Sequence, residues 1–103
     1  MERIETTILR NLIYDEEFSR KVIPFIQLDY FEQRIERVIF EEISKFIVKY
    51  GSSITTEALA IQLEDRDDLN ETEIKESRDT VSLFTDDKVD EQWLVDTTEK
   101  WCR

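Results

Sequence analysis

Glycine and proline are almost missing from this chain: one of each, Gly51 and Pro24, in 103 residues. Sheets need tight turns, and tight turns draw heavily on those two residue types. Their scarcity argues against a β-rich fold and for helices joined by short polar links. Histidine is absent, and cysteine occurs once, at Cys102. No disulfide framework can form within the chain, and no zinc-type ligand set can be assembled. Serine and cysteine nucleophiles also lose their usual histidine base. With a single glycine there is no phosphate-cradling loop, so this segment is not read as a nucleotide hydrolase, or as an enzyme of any other kind. A long apolar run is lacking at the N-terminus. Neither a signal peptide nor a membrane span is therefore expected, and the chain is read as cytoplasmic.

What is present is apolar and acidic. Hydrophobic residues make up 40% of the chain and aromatics 11%, too many for a disordered composition. At this length one domain with one core is feasible, so residues 1–103 are read as a single helical domain. The formal charge of −11 is uneven. Residues 1–51 carry 8 basic and 10 acidic side chains, a net of −2, whereas residues 52–103 carry 6 and 15, a net of −9. Such a surface repels phosphates, so direct nucleic-acid contact is not expected. Basic protein partners or plain solubility fit the charge better.

The apolar spacing and the cap residues predict six helices. The first covers about Glu2 to Tyr14, with Ile4, Ile8, Leu12 and Leu9, Ile13 in adjacent rows. Asp15 caps a short second helix, with Phe18 and Val22 inward and Pro24 limiting it. In "PFIQLDYF", Phe25, Ile26, Leu28, Tyr30 and Phe31 are expected to be mostly buried. The third helix runs from about Glu32 to Tyr50 and ends at Gly51, which suits a left-handed stop. Thr55 or Thr56 caps the fourth, about Glu57 to Glu64, with Ala58, Leu59, Ile61 and Leu63 as its apolar set. Asn70 and Glu73 form a capping-box pattern for the fifth, whose apolar positions are sparse: Ile74, Val81 and Phe84, with Leu83 alongside. Asp86 or Asp87 opens the sixth, which carries Val89, Trp93, Leu94, Val95 and Trp101. No terminator follows it, so the native polypeptide is expected to continue.

Carboxylates sit in adjacent pairs, such as Glu41/Glu42 and Asp86/Asp87. Neighbours on a helix point in different directions, so these read as caps and solvated faces rather than acid/base pairs. "DRDDLNETE" alternates acids as a calcium loop does, yet Asn70 stands where such a loop has glycine and Leu69 replaces an oxygen ligand; no metal is expected. The helix from residue 32 to 50 is greasy on two sides. Ile39, Ile43, Phe46 and Tyr50 form the expected core strip, while Phe40 and Ile47 form a neighbouring strip, either buried because a central helix is surrounded on most sides within one monomer or covering a second layer of helices or a neighbouring subunit. Trp93 and Trp101, eight apart, are expected to share a face, as core or as interface, since tryptophan is enriched at binding hot spots. Trp101, near the open end, is the better interface candidate. Phe40, Ile47, Trp93 and Trp101 are thus the candidate protein-interface residues.

The order of motifs resembles a known family. A leading helix ends in Leu12, Ile13 and Asp15; Asp29, Tyr30 and Phe31 follow. Ile39 and Phe40 then lie in a long helix that stops at a glycine, and Thr55, Leu59 and Leu63 begin the next. This arrangement, with "WLVDTTEKW" near the end, is similar to the N-terminal domain of DnaB-like replicative helicases. Glu36-Arg37-Val38 stands where the bacterial pattern has His-Arg, which points to the phage branch, the T-even type.

The resemblance implies a compact orthogonal bundle of about six helices, part of the collar on a hexameric motor. It implies other helicase subunits, primase and a helicase loader as partners, in the cytoplasm of an infected bacterium. ATP and magnesium would belong to a motor encoded beyond this segment, which itself needs no cofactor. The alternative reading is a stand-alone acidic regulator, or DNA mimic, that binds a basic host enzyme.

Overall fold

In a computed structural model, which describes residues 2–103, six α-helices are present and no strand occurs among the described residues. They are α1 (Ile4–Tyr14), α2 (Glu16–Val22), α3 (Arg34–Tyr50), α4 (Thr56–Glu64), α5 (Glu71–Ser82) and α6 (Glu91–Trp101). Two single 3₁₀ turns, Ile23–Phe25 and Leu28–Tyr30, join α2 to α3. The Cα radius of gyration is 12.9 Å, against about 13 Å for a compact chain of this length.

Local chemistry explains most of the boundaries. The Asp15 side chain accepts from the Phe18 amide at 3.1 Å and starts α2. Thr55 does the same for Ala58, also at 3.1 Å, which leaves Thr56 as the first residue of α4. Asn70 and Glu73 complete the box reciprocally, at 2.8 and 3.1 Å; such caps stabilise by about 1 kcal/mol each. Gly51 ends α3 at φ 73°, a conformation costly for any residue with a Cβ. Its amide donates to the Ile47 carbonyl at 2.8 Å. The uncapped helices start later than their apolar patterns suggest, α1 at Ile4 and α3 at Arg34.

The start of α6 differs from expectation. Asp86 and Asp87 do not open it. The Asp87 carbonyl accepts from the Arg10 guanidinium at 2.7 Å, and its side chain accepts from Thr85 at 3.0 Å. Arg10 also holds the Thr85 carbonyl. This pins the α5–α6 link extended across α1, so the helix begins only after Asp90, which caps the Trp93 amide at 2.8 Å.

The core is centred on α3, which packs against α1, α4, α5 and the second 3₁₀ turn, while α6 lies on α2. Ile8, Leu12, Phe18, Phe31, Ile39, Ile43, Leu59, Leu63 and Leu94 are essentially inaccessible. Each such side chain contributes about 1.5–3 kcal/mol relative to exposure. Two expectations fail at its edge. Tyr50 is 56% exposed rather than core, because the last turn of α3 outruns the helices it packs on; its ring stacks on Phe46 at 4.6 Å instead. Phe25 and Leu28 of the connector are exposed, whereas Ile26 and Phe31 are buried. A three-residue turn throws successive side chains to different sides, so the five cannot all point inward. On α4, Ile61 is exposed opposite the buried Leu59 and Leu63.

Candidate protein-interaction site

The four candidate residues end up in different surroundings. Phe40 is 4% exposed, and its ring centre lies 5.1 Å from that of Phe31. Trp101 packs against the same residue, its ring centre 4.7 Å from that of Phe31, and lies edge-on to Tyr30 at 5.8 Å. Its indole N–H donates to Glu5 at 3.3 Å, tying the end of α6 to α1. The chain itself therefore covers Phe40 and most of Trp101. Ile47 is half-buried on α3, and Trp93 is 51% exposed on α6. The two tryptophans do not share a face: eight residues bring them about 80° apart around the axis. The open one is Trp93, not Trp101.

Apolar exposure missed by sequence reasoning is found elsewhere. Val48 is 80% and Leu83 76% exposed. Each lies off its helix's buried stripe, and that is the sequence signal that marks them. A groove of about 620 Å³ lies between α4 and α5. Ala60, Ile74 and Val81 contribute apolar lining, and Glu57, Glu71, Lys75, Arg78 and Asp79 surround them.

Charge is organised around two arginines. The Arg66 guanidinium reaches Glu41 at 2.6 Å, Glu42 at 2.9 Å and Asp68 at 2.6 Å. Arg34 donates to Glu73 at 2.9 Å and to the Asp68 carbonyl at 3.0 Å. Together they bind the α4–α5 link to α3 and fix how α5 lies beside α4. The Arg66 hydrogen bonds hold the Asp68 carboxyl down to about 2. The Asn70 amide, helped by Arg34, lowers that of Glu73. Glu36 is the counter-example: burial pushes its carboxyl up despite an ion pair with Arg3 at 2.6 Å, and its Oε1 has no hydrogen-bond partner among the described residues. Burial, with Glu99 nearby, raises the Cys102 thiol, which disfavours the reactive thiolate.

Among the described residues, no three or more acidic, cysteine or histidine side chains are placed to hold a metal ion. In the calcium-like stretch, Glu71 and Glu76 both lie on α5 and Asp68 is committed to Arg66. No helix among the described residues is long and apolar enough to cross a membrane.

No family profile matches the chain. Over 94 residues, 91% of its length, it is 33% identical to a DnaB-like replicative helicase of Enterobacteria phage T4, of which it spans 20%. The chain is thus related over nearly its whole length to one part of a DnaB-like replicative helicase of the T4 type, the family that its motif order resembles.

Proposed function

We propose that this chain is the N-terminal domain of a longer phage replicative helicase, and that its work is protein contact: helping to assemble the collar of the hexamer and docking primase or the helicase loader. The observation that carries the reading is the 33% identity spread over 91% of this chain but only 20% of the relative. A domain-sized segment corresponds to a fraction of a much larger helicase. The side-chain inventory supports it. The exposed groups best suited to binding are apolar and aromatic, Trp93, Val48, Tyr50 and Leu83, and such residues serve interfaces. Nucleotide hydrolysis, magnesium and strand separation then belong to the remainder of the helicase.

The test removes residues 1–103 from the parent polypeptide. Sedimentation with ATP and magnesium should show weakened hexamers, and immobilised primase should no longer retain the protein. The isolated chain should sediment as a monomer or weak dimer. Unchanged assembly and unchanged primase capture after deletion would refute the reading, as would a downstream sequence without a phosphate-binding loop.

A further inference from the structure

We propose that the α4–α5 groove is a docking site for a cationic amphipathic helix of a partner protein. The inference rests on the reading of the chain as an interaction domain and adds a place and a partner chemistry. Three observations converge. The first is length. Lining positions Glu71, Ile74, Arg78 and Ser82 run from one end of α5 to the other. The α5 wall is therefore about 17 Å long at 1.5 Å per residue, the span of three helical turns, and the N-terminal part of α4, Thr56 to Ala60, faces it. The second is the lining. Ala60 leaves the α4 wall low, and Ile74 offers apolar surface with the nearly buried Val81 two turns further along the floor, an arrangement into which a helix lays its own apolar face. Ile61, one turn beyond Glu57, adds an exposed apolar shoulder.

The third is charge. Both cations of the rim are already paired within the chain: Lys75 with Asp79 at 2.8 Å, and Arg78 with Glu64 at 2.6 Å. Glu57 and Glu71 have no cationic partner among the described residues. The rim that remains is anionic, on the half of the chain whose net charge is −9. An acidic or neutral helix would meet uncompensated carboxylates, and a helix with lysines or arginines flanking its apolar stripe would pair with them. Rim charges of this kind select the partner and steer its approach more than they add affinity.

The probe is a synthetic helical peptide of about 18 residues, with leucines at i, i+3, i+4 spacing and lysines on the flanks. It is titrated into the isotope-labelled chain and followed by amide NMR shifts. Shifts should cluster at Ala60, Ile74, Lys75 and Arg78, and a twin peptide with glutamate in place of lysine should cause none. Glu57→Lys with Glu71→Lys should weaken binding about tenfold. Ala60→Glu should weaken it too, by filling the trough, although it adds a negative charge. Glu57→Gln with Glu71→Gln serves if the reversed pair folds poorly, and should weaken binding by a smaller factor. Tighter or unchanged binding by Ala60→Glu would mean that charge alone attracts the peptide, and the proposal would fail. It would fail equally if shifts gathered around Trp93 or Val48, if the glutamate peptide bound as well, or if sedimentation showed the groove occupied by a second copy of the chain. Failure here with successful primase capture would leave the domain's role standing and move its docking site elsewhere.

Discussion

Residues 1–51 and residues 52–103 both form three helices, yet they use their side chains differently. The first half supplies 12 of the 19 buried hydrophobic residues, including Phe18, Phe31, Ile39 and Ile43, and is nearly neutral at −2. The second supplies 7, carries −9, and builds the open groove. Arg66 and Arg34 join the two by ion pairs as much as by apolar contact. The contrast teaches that stability is concentrated in the first half and its helix α3. The second half has just enough buried anchors, Leu59, Leu63, Val81 and Leu94, to be held against it. A helix anchored by few apolar residues keeps the rest of its circumference free for other contacts.

The most severe way to break that asymmetry is Phe31→Ala. Phe31 is fully buried and touches both Phe40 and Trp101, so its loss should cost about 3–5 kcal/mol, read as a lowered urea midpoint. The variant should also release Trp101, detectable as a red-shifted fluorescence.

An intermediate effect is expected from Glu36→Gln, and it concerns a buried carboxylate with one oxygen unpartnered among the described residues. The folded state raises the Glu36 carboxyl above its ordinary 4.5. Its proton-linked contribution to stability is therefore complete below 4.5 and is lost as pH rises through the raised value. Glutamine supplies the uncharged form at every pH. The variant should be the more stable protein at pH 7, and its advantage should shrink on acidification as the native carboxyl takes up its proton. Asp68 behaves oppositely. Its carboxyl is lowered from 3.8 to about 2, so its contribution is present above 3.8 and withdrawn as pH falls toward 2. Urea midpoints at pH 7 and pH 4 decide the matter; a variant less stable at both, by the same margin, would show that the Arg3 pair outweighs burial.

The smallest stability effect should come from Trp93→Ser combined with Leu83→Ser in the second half. Both side chains are more than half exposed, and each change should stay within about 0.5 kcal/mol of the native stability. Retention of the parent helicase on immobilised primase should nonetheless fall. A thermal melt lowered as far as that of Phe31→Ala would erase the distinction between the halves.

Much of the fold was legible because its signals are local. Asp15, Thr55 and Asn70 were readable as caps, and Gly51 as a stop, since a cap bonds amides two or three residues away. The rows Ile8–Leu12 and Ile39–Ile43 marked buried faces by spacing alone. Asp86 and Asp87 misled because Arg10, 77 residues from Asp87, holds that backbone extended. The interaction surface was the less legible part. Phe40 and Trp101 look like free aromatics in sequence, yet both lie against Phe31. The groove has no motif at all, since Ala60 and Ile74 are unremarkable until α4 and α5 lie side by side.

The amino-acid order by itself determined six helices, an uneven acidic charge and a chain with one glycine and no histidine. Each of these depends on composition or on interactions within a few residues. Only the tertiary structure decided which apolar side chains are spent on the core and which stay outside. Trp93 and Trp101 are the same residue on the same helix, and their difference comes from what lies across from each: solvent for one, Phe31 and Tyr30 for the other. Burial is a property of both partners in a contact, and the partner is usually far away in the chain.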